Sequence, residues 1–232
     1  MSAFTRLLST IAAAAALTAC ASNPPPEPTL QTGPDAEVTV DGLVRVDNAR
    51  VQLAYMKPGA DLTPYTRFML DPVVVAYKRD PGNRRQASPG APQENFALSQ
   101  SQMENFRSEF QQAVVDALTR DDGYELVNEP GPDVLRIAAE LVDLEVRVPT
   151  ARTGRGRTYA RSYGEVTLVL ELRDSQSGEI FVRAAERRDP TRDTNVYLAE
   201  VSTTAVRADT RRMFQHWADL LRERLDALRE GA

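Results

Sequence analysis

Five arginines and no acidic residue lie between Arg147 and Gly164, and this Arg-rich segment carries the clearest signal for ligand binding. Guanidinium groups donate paired hydrogen bonds to phosphate or carboxylate oxygens, and tyrosine rings offer stacking faces. A lipid headgroup, a peptidoglycan acid or an acidic protein surface would suit such side chains. The candidate residues for an anionic ligand are Arg152, Arg155, Arg157, Arg161, Tyr159 and Tyr163. The alternative is a solvated loop that joins two strands, with its arginines paired to Glu145, Glu165 or other acids.

The side chains that most often perform catalysis are scarce in this chain. It has one cysteine and one histidine, His216, and it shows no recognisable arrangement of serine, histidine and acid. Because neighbours on a helix point about 100° apart, we expect His216 on a helix surface, beside the buried Trp217. We predict no catalytic residue, no metal and no cofactor, and we keep an unrecognised hydrolase as an alternative.

Charge and motifs also bear on the class of partner. The formal net charge of -5 does not favour nucleic acid, whose phosphates attract basic proteins. The sequence TGRGR (Thr153–Arg157) lacks the Lys-Ser/Thr ending of a phosphate-binding loop, so we predict no nucleotide site. The mixed charges of Glu186-Arg187-Arg188-Asp189 indicate surface ion pairs.

The single cysteine, Cys20, ends the sequence Leu17-Thr18-Ala19-Cys20. One cysteine cannot form an internal disulfide or a zinc cage. The four residues resemble the bacterial lipobox, in which the cysteine thiol receives a diacylglyceryl group and becomes the first residue after cleavage. The apolar stretch before it is too short for a bilayer core of about 30 Å. We therefore predict a signal peptide over 1–19 and lipidation of Cys20, with a plain secretory peptide as the alternative.

The residues that follow Cys20 indicate the membrane in which the protein is anchored and a tether. In lipoproteins of Gram-negative bacteria, an Asp after the cysteine favours the inner membrane, and Ala21 and Ser22 stand here instead. We expect the outer membrane, with the protein facing the periplasm and anchored through its N-terminal lipid. Five prolines between Asn23 and Pro34 predict a semi-extended tether over 20–37.

The sequence predicts two α-helices. Ser101 with Glu104 fits a capping box, and apolar residues recur behind it at steps of three and four. A second helix is predicted from about Ala205 to Arg229. Its apolar stripe consists of Phe214, Trp217, Leu221, Leu225 and Leu228.

The strands are predicted from alternating or continuous apolar runs. The residues from Phe68 to Tyr77 are predicted to form a strand. Because Pro72 cannot donate a ladder hydrogen bond, this strand is expected to lie at a sheet edge or to have a bulge at Pro72. The long strand Val134 to Val148 changes phase at Leu141-Val142, which indicates a β-bulge. Gly164 to Arg173 and Ile180 to Arg187 form a predicted hairpin. The expected fold is α+β, a two-layer sandwich of a mostly antiparallel sheet with two main helices, in one domain over 38–232.

The segment Tyr55 to Val73, with its Lys-Pro-Gly-Ala-Asp-Leu turn and the following FMLDPV strand, carries a resemblance to a known family. It resembles the bacterial lipoproteins of domain-of-unknown-function family 3313, and the resemblance extends from Val44 to about Leu228. The family implies a setting in the bacterial envelope and supplies no activity. The leading hypothesis is a non-enzymatic outer-membrane lipoprotein that binds an envelope protein partner, and a module for an anionic ligand is the alternative.

Overall fold

The computed structural model describes residues 26–78, 96–147, 159–193 and 199–230, and every statement on structure below concerns these ranges. They contain two α-helices, α1 (Gln100–Thr119) and α2 (Thr203–Glu230). The strands are β1 (Thr29–Leu30), β2 (Val44–Asp47), β3 (Leu53–Met56), β4 (Arg67–Leu70), β5 (Val74–Tyr77), β6 (Glu125–Leu126), β7 (Val134–Val146), β8 (Tyr159–Ala160), β9 (Gly164–Asp174), β10 (Ile180–Arg188) and β11 (Ala199–Glu200).

Nine of these strands form one mixed sheet in the order β1-β2-β3-β10-β9-β7-β4-β6, with β5 also paired to β7. The pairs from β1 to β7 along this order are antiparallel, whereas β4 and β5 run parallel to β7. A separate small sheet joins β8 to β11. The predicted α+β class and the predicted hairpin, which is β9 and β10, are therefore confirmed.

Both helices contribute to a core on one face of the sheet, which gives the two predicted layers. Along β9, residues from Val166 to Leu172 alternate between buried and half-buried, so one face points to the helices. Phe214 of α2 meets Phe106 and Phe110 of α1 edge-on, with ring centroids 5.0 and 5.4 Å apart. The predicted stripe of α2 lies in this core.

The first helix begins two residues earlier than the sequence predicted. Ser99 is the N-cap, and it forms a reciprocal capping box with Gln102 rather than Ser101 with Glu104. The Ser99 hydroxyl accepts a hydrogen bond from the backbone N–H of Gln102, and the side-chain oxygen of Gln102 accepts one from the backbone N–H of Ser99. Either pair satisfies the spacing rule, and the rule alone could not choose between them.

The long strand β7 contains the irregularity that its apolar pattern predicts, but slightly later. Its register against β9 shifts between Val142 and Glu145, and Asp143 has a φ of 53°. Leu141 and Leu144 are both buried because the extra residue turns the second half of β7 back toward the core. The single strand predicted around Pro72, at an edge or bulged there, is instead divided by Pro72 into β4 and β5, because proline cannot donate a ladder hydrogen bond.

The N-terminal part of the domain extends into the predicted tether. Thr29 and Leu30 pair with Val46 and Asp47 of β2, and the Gln31 amide donates to the Arg45 carbonyl oxygen at 2.9 Å. The tether predicted over 20–37 is thus corrected, because Thr29 and Leu30 within it add a strand to the sheet edge. Among the described residues, no helix combines the length and the apolar character needed to cross a membrane.

Candidate functional site

The structure describes only the two ends of the Arg-rich segment. At its start, Arg147 donates to Glu145 at 2.8 Å and also bonds Glu165, as the alternative interpretation predicted. Burial raises the pKa of Glu145, but hydrogen bonds from Lys78 and Arg147 outweigh burial and hold that pKa below its usual value. Arg147 is therefore held in an ion-pair cluster on the outer face of the sheet.

The remaining predicted ligand residues divide into three groups. Arg152, Arg155 and Arg157 lie outside the described residues, as does Cys20. Tyr159 and Arg161 are exposed, whereas Tyr163 is only 4% exposed and packs against Ala160, Val201 and Val206. The ring of Tyr163 is therefore not accessible to a ligand in solution, which corrects its predicted stacking role. The anionic-ligand site on the other residues stays a prediction.

The single histidine and the side chains that could bind a metal are the candidate catalytic groups in the described part of the chain. His216 is exposed on α2, as predicted, and its neighbour Trp217 is 4% exposed in the core. Within the described ranges, no group of three or more histidine, cysteine, aspartate or glutamate side chains could hold a metal ion.

The site that the structure does form is an apolar cavity of about 510 Å³ between the sheet and α2. Its walls come from β2, β3, β9 and β10 on one side and from α1 and α2 on the other. Its lining includes Arg50, Ala54, Ala184, Glu186, Trp217 and Arg224. Such a volume falls within the usual range for small-molecule sites, about 300–1,000 Å³.

Small side chains on the inner face of the sheet create this space. Ala184 of β10 lies directly opposite Ala54 of β3 on one side and Leu170 of β9 on the other. Ala218 of α2 also lines the cavity. Interiors are normally packed to the density of organic crystals, so three alanines that line one space leave a gap between the layers.

One buried acid lines the cavity. Glu186 is 8% exposed and accepts a hydrogen bond from the Trp217 indole at 3.1 Å and from Arg188 at 2.8 Å. The sequence predicted a surface ion pair here; the pair with Arg188 exists, but its carboxylate is buried beside the indole. Glu186 lies on the inner face because the alternation of β10 places it there together with Ala184.

Arginines mark the open side of the cavity. Arg50 is exposed and pairs with Glu223 at 2.7 Å, and both side chains are about half exposed. Arg224 is half-buried and forms no ion pair within the described part of the chain. The exposed Glu27, whose carbonyl oxygen accepts from Asn48 at 3.4 Å, also lies on this side. The N-terminal end of the described chain therefore lies beside the cavity.

The lining of the cavity is mostly apolar. The described lining contains no serine, cysteine, threonine or histidine, and the Glu186 carboxylate is already engaged by Trp217 and Arg188. Apolar walls with few polar groups are typical of sites that hold a hydrophobic ligand. The sequence did not predict the cavity, because neither Ala54 nor Ala184 is unusual in its own strand.

The fold and cavity define the class of protein: a two-layer α+β domain with an apolar cavity between its layers. Residues 39–221 match the family described as "Protein of unknown function (DUF3313)", and the chain belongs to this family. The family predicted from the Tyr55–Val73 segment is thereby confirmed. No curated protein sequence matches the chain.

Several solved structures are similar in fold at low sequence identity. The PelC L103M dodecamer of Paraburkholderia phytofirmans has 9% identity and a TM-score of 0.37, with 73% of this chain and 95% of that chain covered. Protein XCC0632 of Xanthomonas campestris has 13% identity and a TM-score of 0.40, with 77% and 95% covered. The hypothetical protein CT253 of Chlamydia trachomatis has 11% identity and a TM-score of 0.33, with 69% and 98% covered. With TM-scores this low, the likeness carries no argument on function.

Proposed function

We propose that the chain is an envelope lipoprotein whose domain binds an apolar ligand without catalysing a reaction. The apolar cavity carries this proposal, because it offers space, apolar walls and no free nucleophile among its described lining residues. Burial of apolar ligand surface supplies the affinity, at about 0.8 kcal/mol for each methylene removed from water. Membership of the family is compatible with this role and supplies no enzymatic activity.

The membrane part of the proposal rests on the lipobox. Cys20 would carry the acyl anchor, and Ala21 and Ser22 favour the outer membrane with the domain facing the periplasm. At least two acyl chains are needed for a stable anchor, because a single chain binds only marginally. An envelope protein partner belongs to the same proposal, since a domain held at a membrane can receive or deliver its ligand there.

Membrane fractionation after a high-salt wash tests the anchor. The Cys20→Ser chain should leave the membrane fraction, whereas the Ser22→Ala chain should stay in it. Membrane retention of the Cys20→Ser chain would contradict anchoring through this residue.

Tryptophan fluorescence tests the binding role. Trp217 is the only tryptophan of the chain and lines the cavity, so its emission reports on this site alone. The chain from residue 20 with Cys20→Ser keeps every described residue and avoids detergent. 12-Bromo-1-dodecanol should quench Trp217 saturably, because bromine quenches an indole only at close range. Quenching that never saturates would count against a binding site.

A further inference from the structure

We propose that the ligand of the apolar cavity is a single-chain anionic amphiphile, a long-chain carboxylate whose head binds at Arg224. This inference rests on the proposed binding function and names the chemical class of the ligand. It comes from the unequal distribution of charge and burial along the cavity.

The lining residues of the cavity differ in exposure. Phe110 and Val114 are each 1% exposed and Leu225 is 2% exposed, so they form a buried apolar wall. Exposed or half-buried residues, among them Arg50 and Arg224, form its open end. A ligand that matches both has an apolar tail and a polar head.

The charges at the open end favour an anionic head. Arg50 is neutralised by Glu223, whereas half-buried Arg224 has no ion-pair partner among the described residues. A partly desolvated guanidinium gains from a carboxylate, which accepts two parallel hydrogen bonds from it. The exposed Glu27 on the same side lies beyond ion-pair distance of Arg224 and weakens this attraction without neutralising it.

The other acid of the cavity does not oppose this orientation. Glu186 is buried, forms an ion pair with Arg188 and accepts a hydrogen bond from the Trp217 indole. A carboxylate head beside Glu186 would meet a group of the same charge, so the head is directed toward Arg224 and the tail toward the apolar wall. A single chain is the smaller ligand for a cavity of about 510 Å³, whereas a two-chain lipid must place both chains in that volume or leave one in water.

Two matched probes separate the head from the tail. 12-Bromododecanoic acid and 12-bromo-1-dodecanol share one chain and one quencher, and they differ only in the charge of the head. Both are titrated into the Cys20→Ser chain from residue 20 while Trp217 emission is followed. The acid should bind about fivefold more tightly than the alcohol, which is the size expected of a partly exposed ion pair. The 2-bromo acid should quench less than the 12-bromo acid, because its bromine stays at the opening.

Variants assign the effect to one residue. Arg224→Gln should weaken binding of the acid about fivefold and leave the alcohol unchanged, and this unchanged alcohol also shows that the variant folds. Arg211→Gln is the matched control, since it removes the same charge from the same helix beside Glu109, away from the cavity lining. It should change neither affinity.

The outcomes distinguish the two proposals. If acid and alcohol bind equally, the charged-head inference is wrong and the binding function stands. If neither quenches Trp217 saturably, both are wrong. An equal loss of acid binding in Arg211→Gln, or a loss of alcohol binding in Arg224→Gln, would overturn the role of Arg224. If the acid quenches the Cys20→Ser chain but not the acylated chain in neutral vesicles, the anchor's own acyl chain is the occupant, which also overturns the inference.

Discussion

Filling the apolar cavity from its floor should block ligand binding without destabilising the domain. Ala184 lies opposite Ala54 on the inner face of the sheet, and both line the cavity. Replacing Ala184 with leucine projects three further carbons into space that no protein atom occupies. We predict that the free energy of unfolding of this variant is at least as large as that of the wild type.

The expected free-energy change follows from the area that leucine would bury. Three carbons at about 0.8 kcal/mol each set an upper limit of about 2.4 kcal/mol in favour of the folded state. Because Ala184 is itself half-buried, part of the new side chain stays accessible from the opening. We expect a gain of about 1 kcal/mol in the free energy of unfolding.

Ala139 provides the matched control for this substitution. It also lies on the inner face of the sheet, in β7, but it is 2% exposed within the main core and does not line the cavity. Ala139→Leu must displace packed neighbours, which typically costs about 1–3 kcal/mol. The same chemical change should therefore have opposite signs at the two positions.

Urea unfolding followed by circular dichroism measures both variants, and bromododecanol quenching of Trp217 measures the site. Ala184→Leu should be as stable as the wild type or more so and should lose saturable quenching. If Ala184→Leu is as destabilising as Ala139→Leu, the space is not open in the folded protein. A fully retained affinity in Ala184→Leu would show that the ligand binds elsewhere.

Three further predictions concern the scaffold around the cavity. Ser99→Ala should lower the free energy of unfolding by about 1 kcal/mol because it removes the helix cap, and Ser101→Ala should change it by less than about 0.5 kcal/mol; equal effects in urea unfolding would contradict the observed start of α1. Gly164→Ala should destabilise by more than about 3 kcal/mol, since a Cβ would collide with the Glu145 carbonyl oxygen at a φ of 137°. Gly178→Ala has open space around it and should cost only about 1 kcal/mol, and similar melting temperatures for the two variants would argue against this. Glu171→Gln should be less stable than the wild type by about 1 kcal/mol above about pH 5, and the difference should disappear in acid; a constant difference from pH 2 to 7 would refute the ion-pair explanation.

The sign of the acid dependence follows from the pKa of Glu171. Burial raises this pKa, but hydrogen bonds from Arg173 and Arg183 outweigh burial and keep the pKa below its usual value. A carboxyl group with a lowered folded-state pKa stabilises the protein above its unfolded-state pKa of about 4.3. That contribution is lost as the pH falls through the folded-state pKa, because the protonated group no longer binds its arginines.

The architecture could be predicted because its signals are local. The alternation along β9 and β10 and the stripe of α2 are set by residues within one element, and each element buries the face that its sequence marks. Errors of one or two residues arose where two local solutions satisfy the same rule. The capping box at Ser99 or Ser101 and the bulge near Val142 are both of this kind.

The cavity could not be predicted because it depends on pairing between distant parts of the chain. Ala54 and Ala184 are 130 positions apart, and neither is unusual in its own strand. Only the register of β3 against β10 makes them neighbours and so opens space under α2. Glu186 shows the same limit, since its sequence surroundings are charged while its carboxylate is buried beside Trp217.

The most direct test of the binding site is a crystal structure of the Cys20→Ser chain grown with 12-bromododecanoic acid, using the anomalous scattering of bromine. We predict one strong bromine peak inside the cavity, near Trp217 and Ala184, with the carboxylate density at Arg224. A map with bromine peaks only outside the cavity, or with the carboxylate beside Glu186, would contradict the account.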